Sequence, residues 1–169
     1  MRMIDKEETK HWLSQRGLLD STSEPSFSGF FQVIHFAIPV DSGRKTALSR
    51  VLLSFFDTDE EALLWIDEFG IWPSSEDRYL FEGFRRFLGE RSPLHEKPGH
   101  IFSKDDLDAM RSIVAMTLYF VWGGIMCSPA KDLIIRMSHD EFISVLAMDL
   151  KNGSIITERF KSFLNEKTE

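Results

Sequence analysis

Residues 30–38 read Phe30-Phe31-Gln32-Val33-Ile34-His35-Phe36-Ala37-Ile38, and Pro39 closes the run. Aromatic and β-branched residues fill it, and apolar side chains occupy both alternating sets of positions. A strand patterned this way is expected in the interior of a sheet, covered on both faces. The period then changes. Asp41 or Ser42 can cap a helix, and Ala47, Leu48, Val51, Leu52, Phe55 and Phe56 recur at helical intervals, which predicts an amphipathic helix over about residues 43–56. The next stretch, 57–72, carries two patterns. Thr58 with Glu61 reads as a capping box, whereas Leu63-Leu64-Trp65-Ile66 followed by Phe69 and Ile71 reads as a buried strand. A strand at about 61–67 completes a right-handed β-α-β crossover beside the first strand.

Working outward toward the N-terminus, residues 4–16 show a short helical pattern around Ile4, Trp12 and Leu13, ended by Gly17. The polar loop Ser21-Thr22-Ser23-Glu24-Pro25-Ser26 separates an N-terminal helical segment, 1–20, from a main body, 28–166, within a single domain over 1–169. Toward the C-terminus, Leu80, Phe81, Phe84, Phe87 and Leu88 predict a helix ending at Gly89. Residues 90–102 read as a loop with a Pro98-Gly99 turn. Ser103 and Asp106 cap a helix carrying Leu107, Met110, Ile113, Val114, Thr117 and Leu118, the most buried of the set, and Gly123-Gly124 is expected to end it. Short strands at 125–127 and 133–137 form a hairpin, 142–148 is open between strand and helix, and 156–164 is a final helix. The expected fold class is α/β to α+β. It is a single-domain sandwich with a mixed sheet of about four strands and helices packed mainly against it.

Composition excludes several classes. The 169 residues are 43% hydrophobic and 28% charged, the profile of an ordinary globular chain. Charge is 20 Lys+Arg against 27 Asp+Glu, net −7, and basic residues never run beyond pairs such as Arg44-Lys45 and Arg85-Arg86. Nucleic acid, which is bound through basic clusters, is not an expected partner. The one cysteine, Cys127, excludes an intrachain disulfide and sits in an apolar stretch. Met1 to Lys10 is polar, and the longest apolar stretch, Ile113 to Met126, is too broken to span about 30 Å of hydrocarbon. A cytoplasmic protein without membrane partners is expected.

Phosphate-binding loops, nucleophile elbows and zinc-ligand spacings are absent, so no cofactor and no metal are expected. Two places could carry chemistry. Glu68 leaves the carboxyl end of the 61–67 strand, and Ser74 and Ser75 then open a helix whose free N–H groups suit an anion, or simply serve as its cap. His139-Asp140-Glu141 follows the 133–137 strand and could supply acid/base groups, with His100 and Glu68 as supporting residues. Adjacent side chains diverge, so these three cannot converge on one point unaided. A turn is the plainer reading. His35, alone on its strand, reads as a hydrogen-bonded sheet residue. Asp59 and Glu60, with Asp57, could face a basic partner, and Trp12 could dock its own helix or anchor a second chain.

Gly70-Ile71-Trp72-Pro73-Ser74-Ser75-Glu76, Pro98-Gly99-His100-Ile101-Phe102 and Ser138-His139-Asp140-Glu141 resemble segments of uncharacterised bacterial proteins of similar length, over about residues 28–142. That resemblance implies a bacterial cytoplasmic setting and no activity. The expected function is non-catalytic binding, with a protein partner or a second copy of the chain, in one form an immunity-type acidic protein that blocks a basic effector. The competing reading is a small-molecule-binding protein or enzyme with a site built around His139, His100 and Glu68.

Overall fold

The computed structural model describes residues 1–19, 25, 27–56, 61–70, 75–128, 133–149 and 153–164. The elements run β1 (Arg2–Ile4), α1 (Lys6–Ser14), β2 (Phe31–Ala37), α2 (Ser42–Leu53), β3 (Ala62–Glu68) and α3 (Ser75–Phe87). They continue with β4 (Gly99–Phe102), α4 (Leu107–Tyr119), β5 (Gly123–Ser128), β6 (Leu133–Met137), β7 (Phe142–Ala147) and α5 (Gly153–Leu164). Seven strands form one sheet in the order β1-β4-β3-β5-β6-β7-β2. Every pairing is antiparallel. The fold is α+β, and the expected mixed sheet of about four strands is corrected to an antiparallel sheet of seven. Among the described residues no helix is long and apolar enough to cross a membrane.

Two rows of cross-strand partners explain the layering. Met3, His100, Leu64, Met126, Ile135, Val145 and Ile34 line up across all seven strands. Six of these seven are core hydrophobics, and they pack with Leu48 and Leu52 of α2, Ile113 and Val114 of α4 and Phe160 of α5 in the larger cluster. The neighbouring row, Ile4, Gly99, Trp65, Ile125, Arg136, Ser144 and His35, faces the other way. Its apolar half is covered by Trp12 and Leu13 of α1. Its polar half is open: His35 Nδ1 bonds Ser144 Oγ at 2.9 Å and its ring stacks on Phe142 at 4.9 Å.

Several local expectations change for physical reasons. The 4–16 segment splits into a three-residue edge strand and a nine-residue helix, because Asp5 caps α1 with a full capping box: its side chain accepts from Glu8 N–H, and Glu8 returns to Asp5 N–H. The Pro98-Gly99 turn is instead the start of β4. Gly99 is required there because a Cβ would run into Thr9 Oγ1 and come within 2.6 Å of Ile4 Cγ1. The 142–148 segment is a strand, β7.

The first strand, expected in the interior, lies at an edge of the sheet, and among the described residues it pairs with β7 alone. Three strands separate it from β3, so the crossover does not place them side by side.

Gly123-Gly124 does not end α4. Trp122 N–H donates to the Thr117 carbonyl at 3.0 Å and Val121 N–H to the Leu118 carbonyl at 3.4 Å, a Schellman closure with Val121 at φ 52. A β-branched residue in that left-handed region is strained. Replacing Val121 by Gly is expected to raise stability by about 1 kcal/mol. The check is the urea midpoint, and an unchanged or lower midpoint contradicts the strain. The two glycines belong to β5, where a Cβ on Gly124 would stand 2.7 Å from the Trp65 carbonyl oxygen.

Candidate functional site

β3 ends in a register shift between Ile66 and Glu68, so Asp67 is an extra residue in that strand. Glu68 pairs with Gly123, which alternates with Ile125 and Cys127 and so lies on the face opposite the larger core cluster. The glycine lets Glu68 through: a Cβ on Gly123 would strike the Glu68 carboxylate and sit 2.8 Å from its Cβ.

His139 arrives from the turn joining β6 to β7. Glu141 N–H donates to the Ser138 carbonyl at 3.1 Å and Ser138 N–H to the Phe142 carbonyl at 2.8 Å, while Asp140 N–H donates to Ser138 Oγ at 3.1 Å. Glu141 takes φ 67, the left-handed residue that completes such three-residue hairpin loops. The turn presents His139 toward β3. Its Nδ1 lies 2.7 Å from Glu68 Oε2, and its Nε2 lies 3.5 Å from Asp140 Oδ1.

Glu68, His139 and Asp140 therefore come together, whereas Glu141 is exposed and contributes its backbone: Ile38 N–H donates to its carbonyl at 2.7 Å. The hydrogen bond to Glu68 holds the imidazole pKa above its ordinary 6.5, with further support from the Asp140 and Asp67 charges. Asp67, adjoining Glu68, is itself raised, first by loss of surrounding water and then by the Glu68 charge, while Arg136 opposes both. Asp67 keeps solvent access, so that loss of water is partial. Carboxylates on both sides of an imidazole favour its cationic form and fix the orientation of the ring. Among the described residues no group of three His, Cys, Asp or Glu could hold a metal ion.

A raised folded pKa makes a sign prediction. The contribution of His139 to stability is complete below its unfolded pKa near 6.5 and fades as pH rises through the raised folded value. Glu68→Gln is expected to remove that component, so the wild-type minus variant difference in urea stability should shrink from pH 6 to pH 9. A difference that grows with pH contradicts the assignment.

His100 does not join this site. Its register partner is Leu64, on the helix-covered face, and it is fully buried beside Phe81 and Phe102. Neither ring nitrogen has a hydrogen-bond partner. The backbone of Leu64 and Pro98 favours the cation without completing a bond of ordinary geometry. Burial, with the Arg85 charge adding to it, pushes the pKa down to about 3. The site imagined around His139, His100 and Glu68 is thus split across the sheet.

Trp12 is buried against Leu63, Trp65 and Ile101, the self-docking alternative for that residue. Ser75 is the first residue of α3, and its side chain lies outside what is described, as do Asp59, Glu60, Ser74 and the whole of 57–60 and 71–74. Cys127 is buried, and burial pushes its thiol up to about 12, which makes it inert as a nucleophile at neutral pH. Asp67, Gly123 and Arg136 escaped sequence reasoning. The bulge that assembles them leaves no local signature, although the Gly-Gly pair marked a place where backbone or side chain must pass close.

Compared with protein-family models, with curated proteins and with solved structures, the chain matches none of them significantly.

Proposed function

We propose that the protein is a non-catalytic interaction protein of the bacterial cytoplasm whose contact face is the outer side of α3, paired with a second copy. The observation that carries this reading is an apolar stripe on one helix: Tyr79, Leu80 and Phe87 are 75%, 63% and 84% exposed. Contiguous large apolar side chains of this kind mark contact surfaces. Phe81 and Arg85, on the opposite side of α3, are fully buried, so the helix is docked and its stripe is left over.

Gly83 lies at the centre of the stripe. A glycine inside a helix costs about 1 kcal/mol relative to alanine. Nothing lies within 4 Å of where its Cβ would be, so packing within one chain does not require it. A second helix approaching to about 8–10 Å does give it a purpose. In an antiparallel pair centred on Gly83, Tyr79 faces the partner's Phe87 and Leu80 faces the partner's Arg86, so one surface serves both copies. The net charge of −7 directs a further partner of the dimer toward a basic protein, the immunity-type role expected from composition.

Sedimentation of the purified chain tests this. The wild type is expected to be a dimer at micromolar concentration, and Phe87→Glu is expected to weaken the dimer by about tenfold or more without changing helicity. A monomeric wild type, or an intact dimer in the variant, overturns the reading.

A further inference from the structure

Helices α2 and α5 both pack on the larger core cluster, and two arginines tie them to each other. Arg44, near the start of α2, donates from Nη2 to the Ser162 carbonyl near the end of α5 at 2.6 Å. Arg159, in the middle of α5, donates from Nη1 to the Ser54 carbonyl and hydroxyl at the end of α2, at 3.2 and 3.0 Å. The two helices therefore run in opposite directions with a seam between them. Each guanidinium also stands over an aromatic face, Arg44 at 5.6 Å from the centre of the Phe163 ring and Arg159 at 4.8 Å from that of Phe55.

The seam is basic in an acidic chain. Helix α2 carries Arg44, Lys45 and Arg50 and no acidic residue. Elsewhere Arg2, Lys97, Arg111 and Lys161 each stand against a carboxylate. Arg50 is exposed, and among the described residues it makes no hydrogen bond or ion pair. It lies one turn before Ser54, so Arg50 and Arg159 share one end of the seam, with Arg44 about 9 Å back along α2. Ala47, the exposed position between Arg44 and Arg50, is small and leaves room for a chain laid across it. The seam also has an apolar part. Ile155 is 55% exposed and lies one turn before Arg159, on the same side of α5.

We infer that this seam docks an acidic amphipathic helix of a partner protein, its carboxylates accepting from Arg50 and Arg159 and its apolar side chains resting on Ile155. A guanidinium already held by a carbonyl and a ring loses little freedom when a carboxylate arrives. On the partner, an apolar residue and a carboxylate one turn apart match Ile155 and Arg159, which are one turn apart here. A short helix meets the seam alone, because charges more than about 10 Å away are largely screened. A long polyanion such as duplex nucleic acid also meets the remainder of a chain of net charge −7, which repels it. The inference uses none of the residues of the α3 stripe, so it stands or falls separately from the dimer.

The probe is a fluorescent alanine-based peptide of about 20 residues, long enough to be helical, in which each Leu is followed one turn later by a Glu. Its anisotropy is read as the full chain is added at about 0.15 M salt. Saturable binding is expected, tighter by about tenfold or more than that of the same peptide with Gln in place of Glu. Arg50→Glu is expected to weaken binding by about tenfold or more, and Ile155→Ser by several-fold. Arg111→Glu, which makes the same change of charge at an exposed position of α4, should leave the affinity within about twofold. Arg50 holds no other group in place, and Arg50→Gln reads the same contact should the reversed charge disturb folding. Absence of saturable binding, equal affinity for the Gln peptide, or an equal loss in Arg111→Glu overturns the docking site. Tighter binding of a DNA duplex than of the Glu peptide overturns the choice of partner.

Discussion

The Val114→Asp variant is expected to lose its folded state. Val114 is fully buried on α4, in the larger cluster with Leu48 and Leu52 of α2 and with Met110 and Ile113 of its own helix. Thr117, one turn further on, is buried too, but its hydroxyl is satisfied by the Ile113 carbonyl at 2.9 Å. A carboxylate at 114 has no such local partner among these apolar side chains. An unpaired buried charge costs several kcal/mol, or forces the group to stay protonated at a similar expense. Native stabilities are about 5–15 kcal/mol, so the substitution removes most of the margin. Val114→Ala separates charge from volume: losing part of a buried side chain should cost about 1–2 kcal/mol and leave a cooperative transition. Circular dichroism during thermal unfolding distinguishes the outcomes. A Val114→Asp melt within a few degrees of wild type would mean that α4 does not lie where the core places it.

The same core shows why part of the fold was legible and part was not. Helix α4 announced itself because Met110, Ile113, Val114, Thr117 and Leu118 repeat at helical spacing, and those five residues are the ones buried. The 30–38 strand was legible as a strand but not as an edge. Its apolar residues at both alternate positions suggested two covered faces. The cause is a register shift between Gln32 and Ile34, which inserts Val33. The extra residue lets Val33, Ile34 and Phe36 all pack toward the helix-covered cluster, while His35 stays on the open face. Strand order was out of reach for a different reason. Hydrophobic period says which residues face a core, not which strand is the neighbour, and β4 is only four residues long behind a Pro-Gly pair. The Glu68–His139 pair joins residues 71 apart in sequence. Its parts were visible as strand-end polar residues, but their contact depends on the β3 bulge and on the gap left by Gly123. His100 lies away from the site because the Pro- and Gly-marked 90–102 segment, loop-like in sequence, ends in a buried strand. A histidine in a loop is accessible, whereas one in a buried strand is not.

Acidification is expected to destabilise the protein steeply through that residue, and His100→Leu is expected to relieve much of the effect. Folding holds the imidazole neutral down to about pH 3, whereas the unfolded chain takes up a proton near its ordinary 6.5. Between those values the unfolded state binds more protons, so stability falls as pH falls. Above about pH 6.5 the group contributes no pH dependence. From pH 7 to pH 4 its share of the loss is on the order of 3 kcal/mol, at about 1.4 kcal/mol per unit of pKa difference. Carboxylates elsewhere also respond to acid, but they are common to wild type and variant, so the difference between the two isolates His100. The substitution has a second consequence at neutral pH. Both ring nitrogens are buried without partners, and a leucine beside Phe81 and Phe102 carries no polar atom of its own to satisfy. His100→Leu should therefore be at least as stable as wild type at pH 7, by about 1 kcal/mol, and its advantage should widen to roughly 4 kcal/mol at pH 4. Urea unfolding at the two pH values measures both. Parallel loss of stability in wild type and His100→Leu would show that the imidazole finds a proton, and a partner for it, inside the folded chain.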